Sequence, residues 1–100
     1  VESCDALLLP SLAIPAPTLG TANVRLGSAD EPVRNVMLRL TQLFNVTGHP
    51  ALTIPCGTTN AGLPIGAQFV GHRDRTGALL QVGRAVEATV WPDGFTLATR

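Results

Sequence analysis

Apolar positions fall into blocks of differing period along the chain. Ala6-Leu7-Leu8-Leu9 is a continuous apolar run closed by Pro10. That pattern suits a strand covered on both faces, as in an α/β sheet. From Pro10 to Gly27 the periodicity is lost, and Pro10, Pro15, Pro17, Gly20 and Gly27 interrupt any regular element. This stretch is expected to be a long ordered loop. A helical period begins with Val33, Val36, Met37, Leu40 and Phe44, giving one apolar face. Asp30-Glu31-Pro32 in front of it offers a capping side chain and a first-turn proline. The helix is expected to end near Asn45, before Gly48-His49-Pro50.

Ala51-Leu52-Thr53-Ile54-Pro55 reads as a second strand and Ile65-Gly66-Ala67-Gln68-Phe69-Val70 as a third, with Ile65, Ala67 and Phe69 on one side. The Gly57-to-Gly62 segment between them has turn chemistry, so the two strands are expected to form a hairpin. Asp74 or Thr76 would cap a last helix, striped on its inner side by Leu79, Val82, Val86 and Val90 and ended by Trp91-Pro92-Asp93-Gly94. The tail to Arg100 is expected to be peripheral. The organisation is therefore residues 1–29 as strand plus loop, 30–47 as a helix, 51–71 as two strands and 74–91 as a closing helix.

The first helix has a second face of interest. At 100° per residue, Asn35, Leu38, Gln42 and Asn45 lie opposite the apolar stripe. These positions are uncharged and mixed, where a plain solvent face more often carries Glu, Lys or Arg. They read either as a wall looking into a cavity or another domain, or as an exposed face of a protein poor in charge.

Composition supports incompleteness. The 100 residues carry no net charge, with seven acids balanced by seven bases, all of them Arg. Neutrality argues against nucleic acid or an anionic membrane as partner. No apolar run approaches the ~20 residues of a membrane helix. Val1-Glu2-Ser3-Cys4-Asp5 is not the start of a secretory leader, which makes the cytoplasm the expected location. Charged residues make up 14%, against about 25% for a whole domain. The missing charge implies missing surface: this reads as one domain's portion, with faces meant to be covered. Cys4 and Cys56 are expected to be reduced, buried, small apolar side chains.

Few constellations carry chemistry. Ser11, His49 and Asp5 could be assembled into a hydrolytic triad, but no sharp G-x-S-x-G turn presents Ser11. Cys56 has no helix N-terminus to activate it towards His49. His49 and His72 match no metal-ligand spacing. Without Lys there is no phosphate loop of the Walker type. His72-Arg73-Asp74 lacks the residues that would complete a kinase catalytic loop, and Arg73 and Arg75 around Asp74 read as a solvated turn with an ion pair. Asn45-Val46-Thr47 is a sequon only if the chain is secreted. His49, between a helix end and a strand, reads as a packed connector that hydrogen-bonds backbone. No cofactor or metal is expected.

The spelling of the chain adds to this. Phe44-Asn45-Val46-Thr47-Gly48-His49-Pro50-Ala51-Leu52-Thr53-Ile54-Pro55-Cys56-Gly57 and Gly62-Leu63-Pro64-Ile65-Gly66-Ala67-Gln68-Phe69-Val70-Gly71 resemble the C-terminal part of amidase-signature hydrolases. Cys4 to Ser11 with Pro15-Ala16-Pro17 and Gly20 resembles the segment before it, and Leu79 to Glu87 the closing helix. The resemblance covers residues 4 to about 90 in unbroken order. It implies the C-terminal fragment of an α/β/α fold with a central mixed β-sheet flanked by helices. It also implies hydrolysis of a carboxamide to carboxylate and ammonia or amine through a Ser acyl-enzyme. In the family a Ser nucleophile, a second Ser in a cis peptide and a Lys base lie in an upstream Gly/Ser-rich region. None of that region is in this sequence, so no catalytic residue carries over and the chain alone is expected to be inactive.

What carries over is a pocket wall. In fatty-acid amide hydrolases the helix before the matching Asn lines the acyl channel, and the resemblance assigns substrate contact to Asn35, Leu38 and Gln42. In the tRNA-dependent amidotransferase branch an acidic residue on that helix meets the amino group of glutamine, and the matching position is Leu38. An apolar side chain there favours an uncharged acyl or aryl amide. The implied partners are a small-molecule amide and the rest of the amidase domain, with homodimerisation left open. Two other readings stand beside this one: the amidase-like component of such a tRNA-dependent amidotransferase, and a non-catalytic binding module.

Overall fold

The apolar runs at Leu7, Ala51 and Pro64 become adjacent strands because each can cover the next. A computed structural model describes residues 4–95. Strand β1 (Leu7–Pro10) pairs antiparallel with β5 (Pro64–Val70), and β5 pairs antiparallel with β4 (Ala51–Thr58), giving the order β1-β5-β4. The β4–β5 hairpin predicted from sequence is present, with Leu52 opposite Phe69 and Ile54 opposite Ala67. The register shifts between Pro55 and Gly57. Such a bulge accommodates a proline that cannot donate to the ladder. The fold class is α/β, as expected.

Side-chain alternation gives the sheet two faces. On one face, Ile54, Phe69 and Leu79 form the core, with Leu52, Ala67, Val82 and Val86 packed around them. Helix α3 (Thr76–Val90) supplies Leu79, Val82 and Val86. Gly83 lets it come close: a Cβ there would stand 2.3 Å from Leu52 Cδ2. Val90, the fourth residue of the expected stripe, is exposed. Neither Asp74 nor Thr76 caps α3. Arg75 occupies the cap position without a side-chain bond, and Asp74 has a positive φ of 59°.

Two expectations for the middle of the chain are corrected. The supposed loop from Pro10 to Gly27 contains strand β2 (Asn23–Leu26), which pairs antiparallel with β3 (Ala29–Pro32). Gly27, at φ 62°, opens the short turn with Ser28, a Gly-Ser signal for such a hairpin. The helix expected over residues 30–47 is a strand end followed by two short helices, α1 (Val33–Leu38) and α2 (Gln42–Thr47). Asp30 caps nothing: it lies opposite Arg25 in the hairpin, with the charged groups 3.7 Å apart. Pro32 precedes α1. The predicted inward face survives the break, with Val36 fully buried and Val33, Met37, Leu40 and Phe44 half-buried. Gly48 closes α2, its N–H donating to the Phe44 carbonyl.

Three smaller expectations also change. Cys4 and Cys56 are exposed, not buried. Arg73 donates to the Thr47 carbonyl, tying the start of the α3 turn to the end of α2. The ion pair expected around Asp74 is replaced, among the described residues, by Arg25–Asp30 and Arg39–Glu31. The expectation for the tail to Arg100 lies outside the described residues beyond Phe95. No described helix is long and apolar enough to cross a membrane.

Candidate functional site

The break between α1 and α2 makes a groove. Asn35 and Leu38 reach it from α1, Arg39 from the link, and Gln42, Leu43 and Val46 from α2, around a volume of about 400 Å³. The structure therefore brings Asn35, Leu38 and Gln42 to one surface. Asn45, on the same predicted face, is exposed and is not part of the lining.

The groove is chemically simple. Asn35 and Gln42 are exposed and Leu38 is half-buried. Leu43 and Val46 are 58% and 81% exposed, so much of the lining is apolar surface open to the outside. Its one charged side chain is Arg39, whose guanidinium donates to the Glu31 carboxylate. The groove thus offers hydrocarbon, two amides and a neutralised cation. It has no carboxylate free to receive an ammonium group. Sequence reasoning missed Arg39, Leu43 and Val46. Val46 lies four residues after Gln42, a spacing that would have found it. Leu43 joins the lining only because the helix is broken.

A second cleft, of about 500 Å³, lies between residues Ser11–Ala16 and the sheet, against Thr53, Pro55 and Ile65. Its one nucleophile candidate is engaged: the Ser11 and Thr53 hydroxyls are 2.9 Å apart. His49 pairs locally instead, its Nδ1 lying 2.9 Å from Thr47 Oγ1. Its partner is thus a side chain, where a backbone group was expected. The components of the Ser11, His49 and Asp5 combination are each held in a different local setting, with His72 and Arg75 beside Asp5. Among the described residues no group of His, Cys, Asp and Glu could hold a metal ion.

A family model described as Amidase matches residues 1–80. A solved structure of an amidase superposes with a TM-score of 0.80 at 40% identity, covering 86% of this chain and 20% of that chain. A fatty acid amide hydrolase of Oryza sativa subsp. indica is 34% identical, over 86% of this chain and 14% of its own length. A glutamyl-tRNA(Gln) amidotransferase component of Syntrophus aciditrophicus (strain SB) is 33% identical, over 87% of this chain and 17% of its own length. The chain therefore spans only 14% and 17% of the length of these two curated relatives.

Proposed function

The chain belongs to the amidase family, and from that premise we propose that it forms a wall of the acyl pocket in an enzyme that hydrolyses an uncharged carboxamide. The observation that carries this reading is the convergence of Asn35, Leu38 and Gln42 on one groove whose only charge, Arg39, is neutralised by Glu31. An apolar acyl or aryl group gains from leaving water against Leu38, Leu43 and Val46. The Asn35 and Gln42 amides can hydrogen-bond a neutral polar group at the edge.

In this proposal the reactive groups lie in the part of the domain that precedes these residues. A Ser hydroxyl attacks the amide carbonyl, losing its proton to a neutral Lys. The C–N bond then breaks, the leaving nitrogen takes up a proton, and water releases the acid from the acyl-enzyme. The Lys must come from elsewhere, because these 100 residues contain none. The chain's own contribution is to hold the acyl group so that the carbonyl is presented in a fixed geometry.

The relationship to the glutamyl-tRNA(Gln) amidotransferase supports a second reading, in which glutamine is the amide. It is less well served by the groove. A glutamine ammonium buried without a carboxylate partner is costly, and Leu38 stands where the family resemblance places that acid. The test is a substrate panel on the complete enzyme. Hexanamide and benzamide are expected to exceed glutamine in kcat/KM; a preference for glutamine would reverse the assignment.

A further inference from the structure

Gln68 is a polar side chain in the middle of β5, only 2% exposed, with Ala67 and Phe69 as its neighbours in the strand. A buried amide is costly unless it is hydrogen-bonded. Its Nε2 donates to the backbone carbonyl of Leu40 at 3.0 Å. Leu40 lies in the link between α1 and α2. At that link the N–H groups of Arg39 and Thr41 turn back to the carbonyls of Val36 and Leu38, at 3.4 and 3.3 Å. These are the i to i−3 bonds of a tightened turn. The link is therefore held from the sheet by a side chain 28 residues away in sequence.

We propose that Gln68 is a positioning residue for the substrate groove. By holding the Leu40 carbonyl it fixes the angle at which α1 passes into α2. That angle sets where Leu38, at the end of α1, and Gln42, at the start of α2, stand across the groove. Gln68 does not line the groove itself. It acts through the backbone between two residues that do. This inference rests on the reading of the groove as the acyl pocket.

The experiment measures kcat and KM of the complete enzyme for hexanamide and acetamide, in wild type, Gln68→Met, Gln68→Glu and Leu38→Ala. Acetamide is too short to extend along the groove. Gln68→Met removes the donor while keeping the length of the side chain. It is expected to lower kcat/KM for hexanamide about tenfold relative to acetamide, mainly through KM, as loss of a buried hydrogen bond allows. A merely structural role would lower both substrates together and leave their ratio unchanged.

Gln68→Glu provides a second line should Gln68→Met fail to fold. Burial raises the pKa of a carboxyl group. Below that pKa its O–H can donate to the Leu40 carbonyl, and above it the donor is gone. The hexanamide-to-acetamide ratio of this variant is expected to recover as pH falls, while that of wild type stays flat. A ratio unchanged in Gln68→Met, or a Gln68→Glu ratio that ignores pH, overturns the positioning role if Leu38→Ala still shifts the ratio. If Leu38→Ala also leaves the ratio unchanged, the acyl-pocket reading falls and the role of Gln68 falls with it.

Discussion

Ser11 and Thr53 face each other across the middle strand, their hydroxyl oxygens 2.9 Å apart, and Gly66 of β5 lies beneath the pair. A Cβ on Gly66 would come within 2.8 Å of Thr53 Cγ2 and 3.0 Å of Ser11 Oγ. Thr53 is β-branched and has little freedom to rotate away. Gly66→Ala is therefore expected to break the bond between β4 and the turn after β1. The cost should be about 1–3 kcal/mol, the usual range for overpacking. A lower thermal midpoint of the complete enzyme checks this, and an unchanged midpoint contradicts it.

The far end of α3 is held differently. Trp91 donates its Nε1–H to the Pro55 carbonyl at the bulge of β4 and meets Phe95 edge-on, with ring centroids 4.8 Å apart. Trp91→Phe keeps an aromatic ring but loses the donor. The expected loss is about 1 kcal/mol, seen as faster amide hydrogen exchange in the last turn of α3. Exchange no faster than in wild type would show that the bond contributes nothing.

Arg39 gives a prediction about charge. Its partner Glu31 keeps the groove neutral. Glu31→Gln leaves the guanidinium without a carboxylate, so an amide carrying a terminal carboxylate, such as adipamate, should gain over hexanamide. The gain should be roughly two- to fivefold, since exposed ion pairs are weak. An unaltered ratio would place Arg39 outside the path of the substrate.

The surface predicts the behaviour of the isolated chain. Leu8, Leu19, Leu43, Val46 and Leu80 are all more than half exposed. β4 also has no strand on its outer side among the described residues. Exposed edges and apolar faces associate. Size-exclusion chromatography of residues 1–100 alone should show self-associated species, and hexanamide should not be turned over. A monomer with a cooperative melt would favour a self-standing binding module instead.

Much of this was legible in the residues. The hairpin of Ala51 and Val70 and the face of Leu79, Val82 and Val86 follow from local period. The inward placement of Val36 and Phe44 does too, because the break leaves the inward positions in place. The break itself was not legible. No Gly or Pro interrupts Val33 to Thr47, and the partner of the Leu40 carbonyl is Gln68, a contact that period cannot reveal. Gln68 did offer a signal, as an amide within an apolar strand. The β2–β3 hairpin was hidden because its strands are four residues each and lie among prolines and glycines that read as loop. The burial expected of Cys4 and Cys56 rested on residue type alone, which does not say which face a residue takes. That Asn35, Leu38 and Gln42 share one groove was legible because one helix face and one family resemblance selected the same positions; that the groove meets substrate is the proposal.

Leu38→Asp in the complete enzyme probes the central claim most directly, through the ratio of kcat/KM for hexanamide to that for glutamine. A carboxylate at this position would oppose an apolar acyl group and attract an ammonium group. The ratio is expected to fall by about tenfold or more, since an unpaired charge against hydrocarbon is costly. A ratio equal to that of wild type would mean that the groove beside Leu38 does not meet the substrate.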